Sequence, residues 1–202
     1  SLYLKRELAR LYLQQKDFDR ATEVVHEILE KKPEHVASFV MLGGIYSIQA
    51  KHEKAIEAYR KALELNPDGE RVYLLLGSEY VKTKSPEKAL EVYQALTKKK
   101  PDSFPGYFHT GTVAASLEKY ELAEDVLLKC LELEPGHEQV LFQLVDVYRA
   151  MGKNEKVVDT YEKIISYNPG NIKASVALAQ YYLEIERPED AGAIFEELTT
   201  RT

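Results

Sequence analysis

The sequence predicts an all-α fold in which antiparallel helix hairpins stack into one solenoid. Prolines recur every 34 residues, which indicates repeats of one supersecondary unit; they are Pro33, Pro67, Pro101, Pro135 and Pro169. Inside each interval, large apolar side chains recur at helical spacing and small residues recur at two fixed points. A single hairpin cannot cover its own apolar faces, so neighbouring units must stack to form a continuous core.

The prolines set the boundaries of six units. With each proline at position 32, the units span residues 2–35, 36–69, 70–103, 104–137, 138–171 and 172–202, the last of them truncated. The residue before a proline is disfavoured in a helix, so a helix is expected to end just before each proline. No serine-, glycine- or proline-rich tract interrupts the array, so residues 2–202 are predicted to form a single domain.

The recurring positions define two helices in each unit. Small residues dominate position 8, which reads Ala9, Gly43, Gly77, Gly111, Val145 and Ala179. They also dominate position 20, which reads Ala21, Ala55, Ala89, Ala123, Val157 and Ala191. A large ring recurs at position 11, which reads Tyr12, Tyr46, Tyr80, Ala114, Tyr148 and Tyr182. Small residues at positions 8 and 20 would let the two helices cross closely.

This pattern resembles the tetratricopeptide repeat. The second unit carries nearly the whole family signature of aromatic, Leu-Gly, Tyr, Ala, aromatic, Ala and Pro, as Phe39, Leu42, Gly43, Tyr46, Ala55, Tyr59, Ala62 and Pro67. The resemblance covers essentially the whole chain. It implies a right-handed superhelical solenoid whose first helices line a concave groove, and a role as a scaffold that binds other proteins.

Helix-start residues appear in the turn between the two helices of the third unit. Ser85, Pro86 and Glu87 are typical of an N-cap, a first helical residue and an acidic first turn. The sequence therefore predicts a second helix that starts at Pro86, with Ser85 as its N-cap.

Composition excludes some functions. The chain has 27 basic and 33 acidic residues, a net charge of −6, which argues against nucleic-acid binding because phosphates require a basic surface. No apolar run approaches the roughly 18 residues of a membrane-spanning helix, so direct membrane insertion is not expected. The single cysteine, Cys130, rules out an intrachain disulfide. A cytoplasmic location is slightly favoured, and a disulfide-poor periplasm also fits.

The sequence contains no recognisable catalytic, cofactor-binding or metal-binding arrangement. No two of the five histidines have the i, i+4 spacing of a helical metal site, and each is expected to be solvated or to cap a helix. Phosphate-binding loops and nucleophile elbows are absent. Cys130 occupies a position where the repeat requires a small buried residue. We therefore predict a protein without enzymatic activity, cofactor or metal.

The resemblance implies that positions 2, 5, 9 and 12 of the first helices face the groove, and the candidates are taken from the first three of these positions. The candidate peptide-binding residues are Tyr3, Arg6, Arg10, Val40, Leu74, Ser78, Phe108, Thr112, Phe142, Asp146, Val176 and Gln180. Position 5 could instead belong to the core between successive first helices. For Val40 and Leu74 the two interpretations are evenly balanced, whereas Phe108 and Phe142 are expected to be exposed.

Some members of the family bind a terminal carboxylate, and specific residues show whether this chain resembles them. Such members hold a terminal carboxylate with lysine, asparagine and further basic residues on three consecutive first helices. In this chain those places are taken by Arg6, Arg10, Met41, Arg71 and Leu75. Because the asparagines and the last cation are missing, we do not expect a site of that type.

The sequence thus predicts a scaffold that binds a peptide or helix of a partner protein in its groove. An alternative is that the chain is a segment of a larger protein, such as the targeting arm of an enzyme or an assembly factor for an envelope complex or exopolysaccharide. The last helix carries Ile194, Phe195 and Leu198 with no following helix to cover them. The solenoid is therefore expected either to continue past Thr202 or to be covered there, and self-association through this C-terminal end is one way to cover it.

Overall fold

The computed structural model describes residues 1–200, which form twelve α-helices with no strand among them. The helices are α1 (Leu2–Gln14), α2 (Phe18–Lys31), α3 (Val36–Ile48), α4 (His52–Leu65), α5 (Glu70–Lys82), α6 (Pro86–Lys99), α7 (Phe104–Ser116), α8 (Tyr120–Leu133), α9 (Glu138–Ala150), α10 (Asn154–Tyr167), α11 (Ile172–Glu184) and α12 (Pro188–Thr200). Odd-numbered helices are the first helices of the repeats and even-numbered helices are the second. The predicted all-α helical repeat is confirmed.

The helix ends follow the proline period. Each first helix starts at the first residue of its predicted unit, namely Leu2, Val36, Glu70, Phe104, Glu138 and Ile172. Each of the first five second helices ends two residues before its proline. The steric exclusion of helical backbone before proline accounts for this regularity.

All six hairpins turn through the same backbone motif. In the first, the Lys16 amide donates to the Leu13 carbonyl at 3.0 Å and the Asp17 amide donates to the Tyr12 carbonyl at 2.8 Å. This pair of bonds is a Schellman motif, which satisfies carbonyls left free at a helix end. It requires a left-handed residue at position 15, and that residue has positive φ in every repeat: Lys16, Ala50, Lys84, Glu118, Gly152 and Glu186.

Ser85 occupies the N-cap position of α6, as the sequence predicts, but its side chain does not cap the helix. The hydroxyl donates instead to the Thr83 carbonyl at 3.4 Å. Asp17 is the residue at the same repeat position that does cap, since its carboxylate accepts from the Arg20 amide at 3.1 Å.

The helices also group into two larger compact parts of the chain, each containing several repeats. We call these parts unit 1 (Ser1–Gly106) and unit 2 (Tyr107–Thr202), and the 34-residue hairpins are called repeats from here on. In unit 1 the core is built around close contacts between glycine and tyrosine. A Cβ added to Gly43 would lie 2.4 Å from Cε1 of Tyr59, and one added to Gly77 would lie 2.4 Å from Cε1 of Tyr93. Tyr59 and Tyr93 are almost fully buried, so the missing side chains of the glycines create the space for the rings.

The core of unit 2 contains tyrosines and also several small or aliphatic residues. Leu127, Cys130, Val140 and Val157 are fully buried in it. Burial raises the pKa of the Cys130 thiol to about 12, so this residue behaves as a small packed hydrophobe. A buried thiol of this kind is a poor nucleophile at neutral pH.

Candidate functional site

The first helices divide their residues between core and solvent in a regular way. At position 7 four leucines are buried: Leu42, Leu76, Leu144 and Leu178. Position 5 is half-buried in all six repeats, and in the five repeats after the first it is apolar: Val40, Leu74, Phe108, Phe142 and Val176. These five side chains contribute to packing and still present part of their surface to solvent. They lie between the two interpretations, core and exposed, that the sequence left open.

In unit 1, six candidate residues form what we call the unit 1 surface: Tyr3, Arg6, Arg10, Val40, Leu74 and Ser78. Tyr3 is 66% exposed. Arg10 is held on its own helix, because its Nη1 donates to Oε1 of Glu7 at 2.8 Å. Arg6 is half-buried, and its Nε is shielded from solvent with no hydrogen-bond partner among the described residues.

Two residues outside the candidate set also shape this surface. Gly44 follows Val40 by one helical turn, and a Cβ added to it would have only the Tyr59 hydroxyl, at 4.0 Å, as a neighbour. Burial raises the pKa of that hydroxyl to about 12, the nearby Glu79 adds to the effect, and the positive charge of Arg71 opposes it. Arg71 of α5 therefore acts on the Tyr59 hydroxyl of α4, which lies next to the open space at Gly44.

In unit 2, the remaining six candidates form the unit 2 surface: Phe108, Thr112, Phe142, Asp146, Val176 and Gln180. The Phe108 ring lies edge-on to His109, with 5.6 Å between ring centroids, and 6.2 Å from the ring of His137. Burial lowers the pKa of His109. Phe108 is therefore part of a small aromatic cluster as well as a surface residue.

Phe142 lies at the centre of the second aromatic group of unit 2. Its ring is edge-on to Tyr161 at a centroid distance of 6.4 Å, and the Lys173 ammonium lies 5.2 Å from its centroid. A cation over a ring face at this distance is attracted by the π-electrons. Lys173 belongs to α11 and Phe142 to α9, so this contact places the two first helices side by side.

Charged and polar groups extend the unit 2 surface beyond Phe142. Arg149 on α9 donates to Glu184 on α11 at 2.6 Å, so that pair is satisfied internally. Asp146 has no ion pair in the described part of the chain and remains exposed. Partial burial raises its pKa, while the positive charge of Arg149 opposes this shift. Asp146 is thus a carboxylate available to a partner.

The other three members of the unit 2 surface differ in what they can offer. The amide of Gln143 donates to the Thr112 hydroxyl at 2.9 Å, and that hydroxyl donates to the Phe108 carbonyl at 2.9 Å. Thr112 therefore connects α7 and α9 rather than presenting a free hydroxyl. Val176 is half-buried and Gln180 is exposed.

Sequence reasoning missed a buried charged network in unit 1. Glu79 is only 2% exposed and accepts from Ser47 at 2.5 Å, from Lys82 at 2.7 Å and, at 2.8 Å, from Nδ1 of His52. Burial alone would raise its pKa, but the three hydrogen bonds hold it below the ordinary value. His52, expected to be solvated or to cap, is instead part of this network.

Unit 2 contains a simpler counterpart. Glu124 accepts from Lys153 at 2.7 Å and from Lys156 at 2.5 Å. Burial favours a higher pKa for Glu124, yet the two lysines lower it. Within residues 1–200, no cluster of three or more His, Cys, Asp or Glu side chains could hold a metal ion. None of the helices described has the length and apolar character needed to cross a bilayer.

Comparison with known proteins agrees with this architecture. Three family models match in succession: one described as TPR repeat over residues 43–84, and two described as tetratricopeptide repeat over residues 74–138 and 138–171. The chain belongs to the tetratricopeptide-repeat (TPR) superfamily. Among curated proteins, none matches the sequence.

Solved TPR structures share the fold. The MamA protein is 25% identical and superimposes with a TM-score of 0.71 over 80% of this chain and 88% of that one. A TPR protein from Parabacteroides merdae is 21% identical, with a TM-score of 0.75 over 98% and 79% of the two chains. YrrB, described as having an unusual peptide-binding site, is 20% identical, with a TM-score of 0.68 over 84% and 88%.

Proposed function

We propose that this TPR chain binds a peptide or helix of a partner protein along its first helices, through the unit 1 and unit 2 surfaces. The TPR fold itself implies a protein–protein interaction scaffold. The observation that supports the finer proposal is the half-burial of position 5 in five successive repeats. Side chains anchored by their own packing and open on one side can bind a partner with little loss of conformational entropy.

The aromatic residues Phe108 and Phe142 are the expected anchors. Each ring is fixed by an intramolecular aromatic contact, so its orientation is set before a partner arrives. Truncation of an aromatic anchor at an interface typically costs about 2 kcal/mol or more of binding free energy. Removal of a fully buried core aromatic costs about 3–5 kcal/mol of stability. Because both rings are half-buried, their loss should destabilise the fold by less than that.

Bait capture with single variants tests this proposal. Phe142→Ala and Phe108→Ala should release proteins that the unaltered chain retains, with a small decrease in melting midpoint. Tyr167→Ala is the matched control, because Tyr167 is an aromatic residue, 59% exposed, on the second helix α10. If the control releases the same proteins, or if the phenylalanine variants retain them whenever folded, the first helices are not the binding surface.

Self-association through α12 is a second element of the proposal. Phe195 is 39% exposed, whereas the residues at the same repeat position are buried: Val25, Tyr59, Tyr93, Leu127 and Tyr161. A second copy could cover this face. Sedimentation velocity should show association that rises with concentration and is weakened by Phe195→Ser; concentration-independent monomers would exclude it.

The alternative that this scaffold is a segment of a larger protein also has structural support. Leu4, Leu8 and Leu11 of α1 are 64%, 39% and 47% exposed, although position 7, which includes Leu8, is buried in later repeats. An additional preceding helix would cover such a face. PilW, described as a type IV pilus biogenesis factor, shares the fold at 18% identity and a TM-score of 0.66, over 98% of this chain and 92% of that one. The role of an envelope assembly factor therefore stays a hypothesis. Hydrogen exchange on the natural full-length protein would decide, since fast exchange throughout α1 would argue against a covering helix.

A further inference from the structure

A groove lies between the second helices of the first two repeats, α2 and α4, and has a volume of about 740 Å³. Its floor is formed by Phe39, Leu42 and Tyr46 of α3, and α4 provides most of its wall. None of the six residues of the unit 1 surface lines it. We call it the α2–α4 groove, and it is separate from the first-helix surfaces described above.

A small side chain at position 23 of the repeat makes this groove wide. In the second repeat the residue is Ala58, and it lines the groove. In the other repeats the same position carries a branched side chain: Val24, Val92, Val126, Thr160 and Ile194. The equivalent groove of unit 2, between α10 and α12, is lined by Ile194 and measures about 260 Å³. A methyl group in place of a branched side chain therefore leaves room for a guest in the α2–α4 groove.

The groove presents apolar surface that the chain does not cover itself. Phe39, Tyr46 and Ile56 line it and are each half-buried, whereas Leu42 at its base is almost fully buried. The Lys54 ammonium lies 5.7 Å from the centroid of the Tyr46 ring and is thus already engaged within the chain. The open apolar area is suited to the apolar face of a partner helix.

The two ends of the groove differ in charge. Glu53 and Glu57, near the start of α4, line the groove and form no ion pair within the described chain. Near the end of α4, Lys61 is paired with Glu64 at 2.9 Å. Arg60 acts on Glu64 by its charge and helps to lower the pKa of that carboxyl, but it has no ion pair among the described residues. Open carboxylates therefore lie at one end of the groove and an open guanidinium at the other.

This polarity specifies the direction of a bound helix. Helices favour carboxylates in the first turn and cations in the last turn, because of the helix dipole. A partner helix that runs antiparallel to α4 would place its last-turn cations beside Glu53 and Glu57. Its first-turn carboxylate would then lie beside Arg60. The wall from Glu53 to Glu64 corresponds to about 16 Å of helix, or about three turns.

We propose that the α2–α4 groove binds an amphipathic helix of a partner protein, antiparallel to α4, with an acidic first turn and a basic last turn. This is a second binding site, beyond the first-helix surfaces of the proposed function. Apolar side chains of the partner, spaced by three or four residues, cover Phe39, Tyr46 and Ile56. The cations of its last turn neutralise Glu53 and Glu57.

The experiment uses the full chain and a labelled helical peptide of about 14 residues. The peptide has glutamates in its first turn, leucines at every third or fourth position and lysines in its last turn. Fluorescence anisotropy measures its affinity. Ala58→Val should weaken binding about fivefold or more, because the added methyl groups fill the groove. The melting midpoint should change little, since valine occupies the same position in three other repeats.

Two double variants test the charges without changing the groove. Glu53→Gln/Glu57→Gln should weaken binding about threefold or more at about 0.05 M NaCl, and by less at about 0.3 M NaCl. Glu121→Gln/Asp125→Asn is the matched control, because it changes the same repeat positions on α8 of unit 2, where both residues are also exposed. The control should leave the affinity unchanged.

A spin label on the first residue of the peptide tests the direction. It should broaden the NMR signal of the Glu64 amide more than that of the Glu53 amide. The opposite order would overturn the antiparallel arrangement.

The possible results separate this inference from the proposed function. If the peptide does not bind, if Ala58→Val binds it as tightly as the unaltered chain, or if both double variants weaken it equally, the inference is overturned. Phe108→Ala and Phe142→Ala should leave the affinity for this peptide unchanged. If these variants weaken binding and Ala58→Val does not, the peptide occupies the first helices, which supports the proposed function and overturns the second site.

Discussion

Units 1 and 2 repeat the same hairpin but distribute charge in opposite ways. Unit 1 contains 18 basic and 16 acidic residues, a net +2, whereas unit 2 contains 9 and 17, a net −8. On the unit 1 surface Arg6 has no ion pair among the described residues, and unit 1 also contains a buried carboxylate, Glu79. The unit 2 surface presents aromatic rings and the unpaired Asp146. The shared turns and core positions maintain the fold, so the surface residues are free to differ between units.

The contrast is sharpest at position 10 of the first helices. In unit 2 this position is buried and uncharged, as Val113, Val147 and Tyr181. In unit 1 it is Ile45 in one repeat and Glu79 in the next, both buried. A carboxylate at an apolar position is stable only because three side chains from α3, α4 and α5 hydrogen-bond to it. Replacing these partners or the carboxylate should therefore destabilise unit 1 more than any substitution at position 10 destabilises unit 2 through lost hydrogen bonds.

The largest expected effect is at Glu79. Glu79→Ala should lower the free energy of unfolding by about 3 kcal/mol, because it leaves a cavity and breaks a buried network. Glu124→Ala in unit 2 should cost about 1 kcal/mol, since Glu124 has two partners, both of them partly exposed lysines that can be hydrated. Urea denaturation measures the totals, and hydrogen exchange assigns each loss to a unit.

Glu79→Val is the control for this comparison, because valine is found at the same position in the fourth and fifth repeats. A well-packed apolar residue can replace a buried charged group with little cost. We expect Glu79→Val to recover most of the stability that Glu79→Ala loses. Equal losses in the two variants would show that hydrogen bonding, and not packing volume, dominates at this position.

The next effect concerns the glycines at position 8. Gly43→Ala in unit 1 should cost about 2 kcal/mol, because the new Cβ would lie 2.4 Å from the rigid, buried ring of Tyr59. Gly111→Ala in unit 2 should cost less, since its new Cβ would lie 2.7 Å from Leu127, whose side chain can change rotamer. Gly44→Ala serves as the control and should stabilise the chain, by up to about 1 kcal/mol. Melting midpoints in the order Gly44→Ala, Gly111→Ala, Gly43→Ala, from highest to lowest, are expected.

The sequence predicted the regular part of this molecule well. The proline period placed the start of every first helix, and the small residues at positions 8 and 20 indicated where helices meet. This succeeded because each feature recurs in five of the six repeats, so that the pattern outweighs local exceptions. The helix-start residue Ser85 was placed correctly at its N-cap, but its hydroxyl turns to Thr83, a choice of side-chain rotamer that no periodicity encodes.

The irregular part could not be predicted in the same way. Glu79 interrupts an apolar column, and that signal is visible in the sequence, but its partners Ser47 and His52 precede it by 32 and 27 residues. Only the stacking geometry brings them together. The exposed fraction of the candidate surface residues could not be predicted either, because it depends on contacts with the neighbouring repeats.

The turns should behave alike in the two units. Ala50 and Glu118 have φ values of 55° and 57°, in the left-handed region that favours glycine. Ala50→Gly and Glu118→Gly should each stabilise by about 1 kcal/mol, and to the same degree. Gly152→Ala should destabilise by about 1 kcal/mol, because φ at this residue is 67°. Nothing lies within 4 Å of the new Cβ, so the cost would come from backbone strain and not from a steric clash. Unequal gains in the two glycine variants would mean that the units differ even in their shared motif.

The smallest effect compares one histidine from each unit. The pKa of both His35 and His109 lies below the ordinary 6.5, but the causes differ: burial followed by the charges of Arg6 and Lys32 for His35, and burial for His109. Salt screens charges and leaves burial unchanged. In NMR titrations, added NaCl or Arg6→Gln should therefore raise the pKa of His35 towards 6.5 and leave that of His109 where it is.

The same shifts set the pH dependence of stability. A histidine with a depressed folded pKa takes up its proton more readily in the unfolded chain, so stability decreases as pH falls from 6.5 through the folded pKa. Salt should reduce this loss for unit 1, where part of the depression is electrostatic, and should not reduce it for unit 2. The His35→Gln and His109→Gln variants remove the respective contributions. If salt moves the pKa values of both histidines equally, or of neither, the positive charge of Arg6 does not contribute to the low pKa of His35.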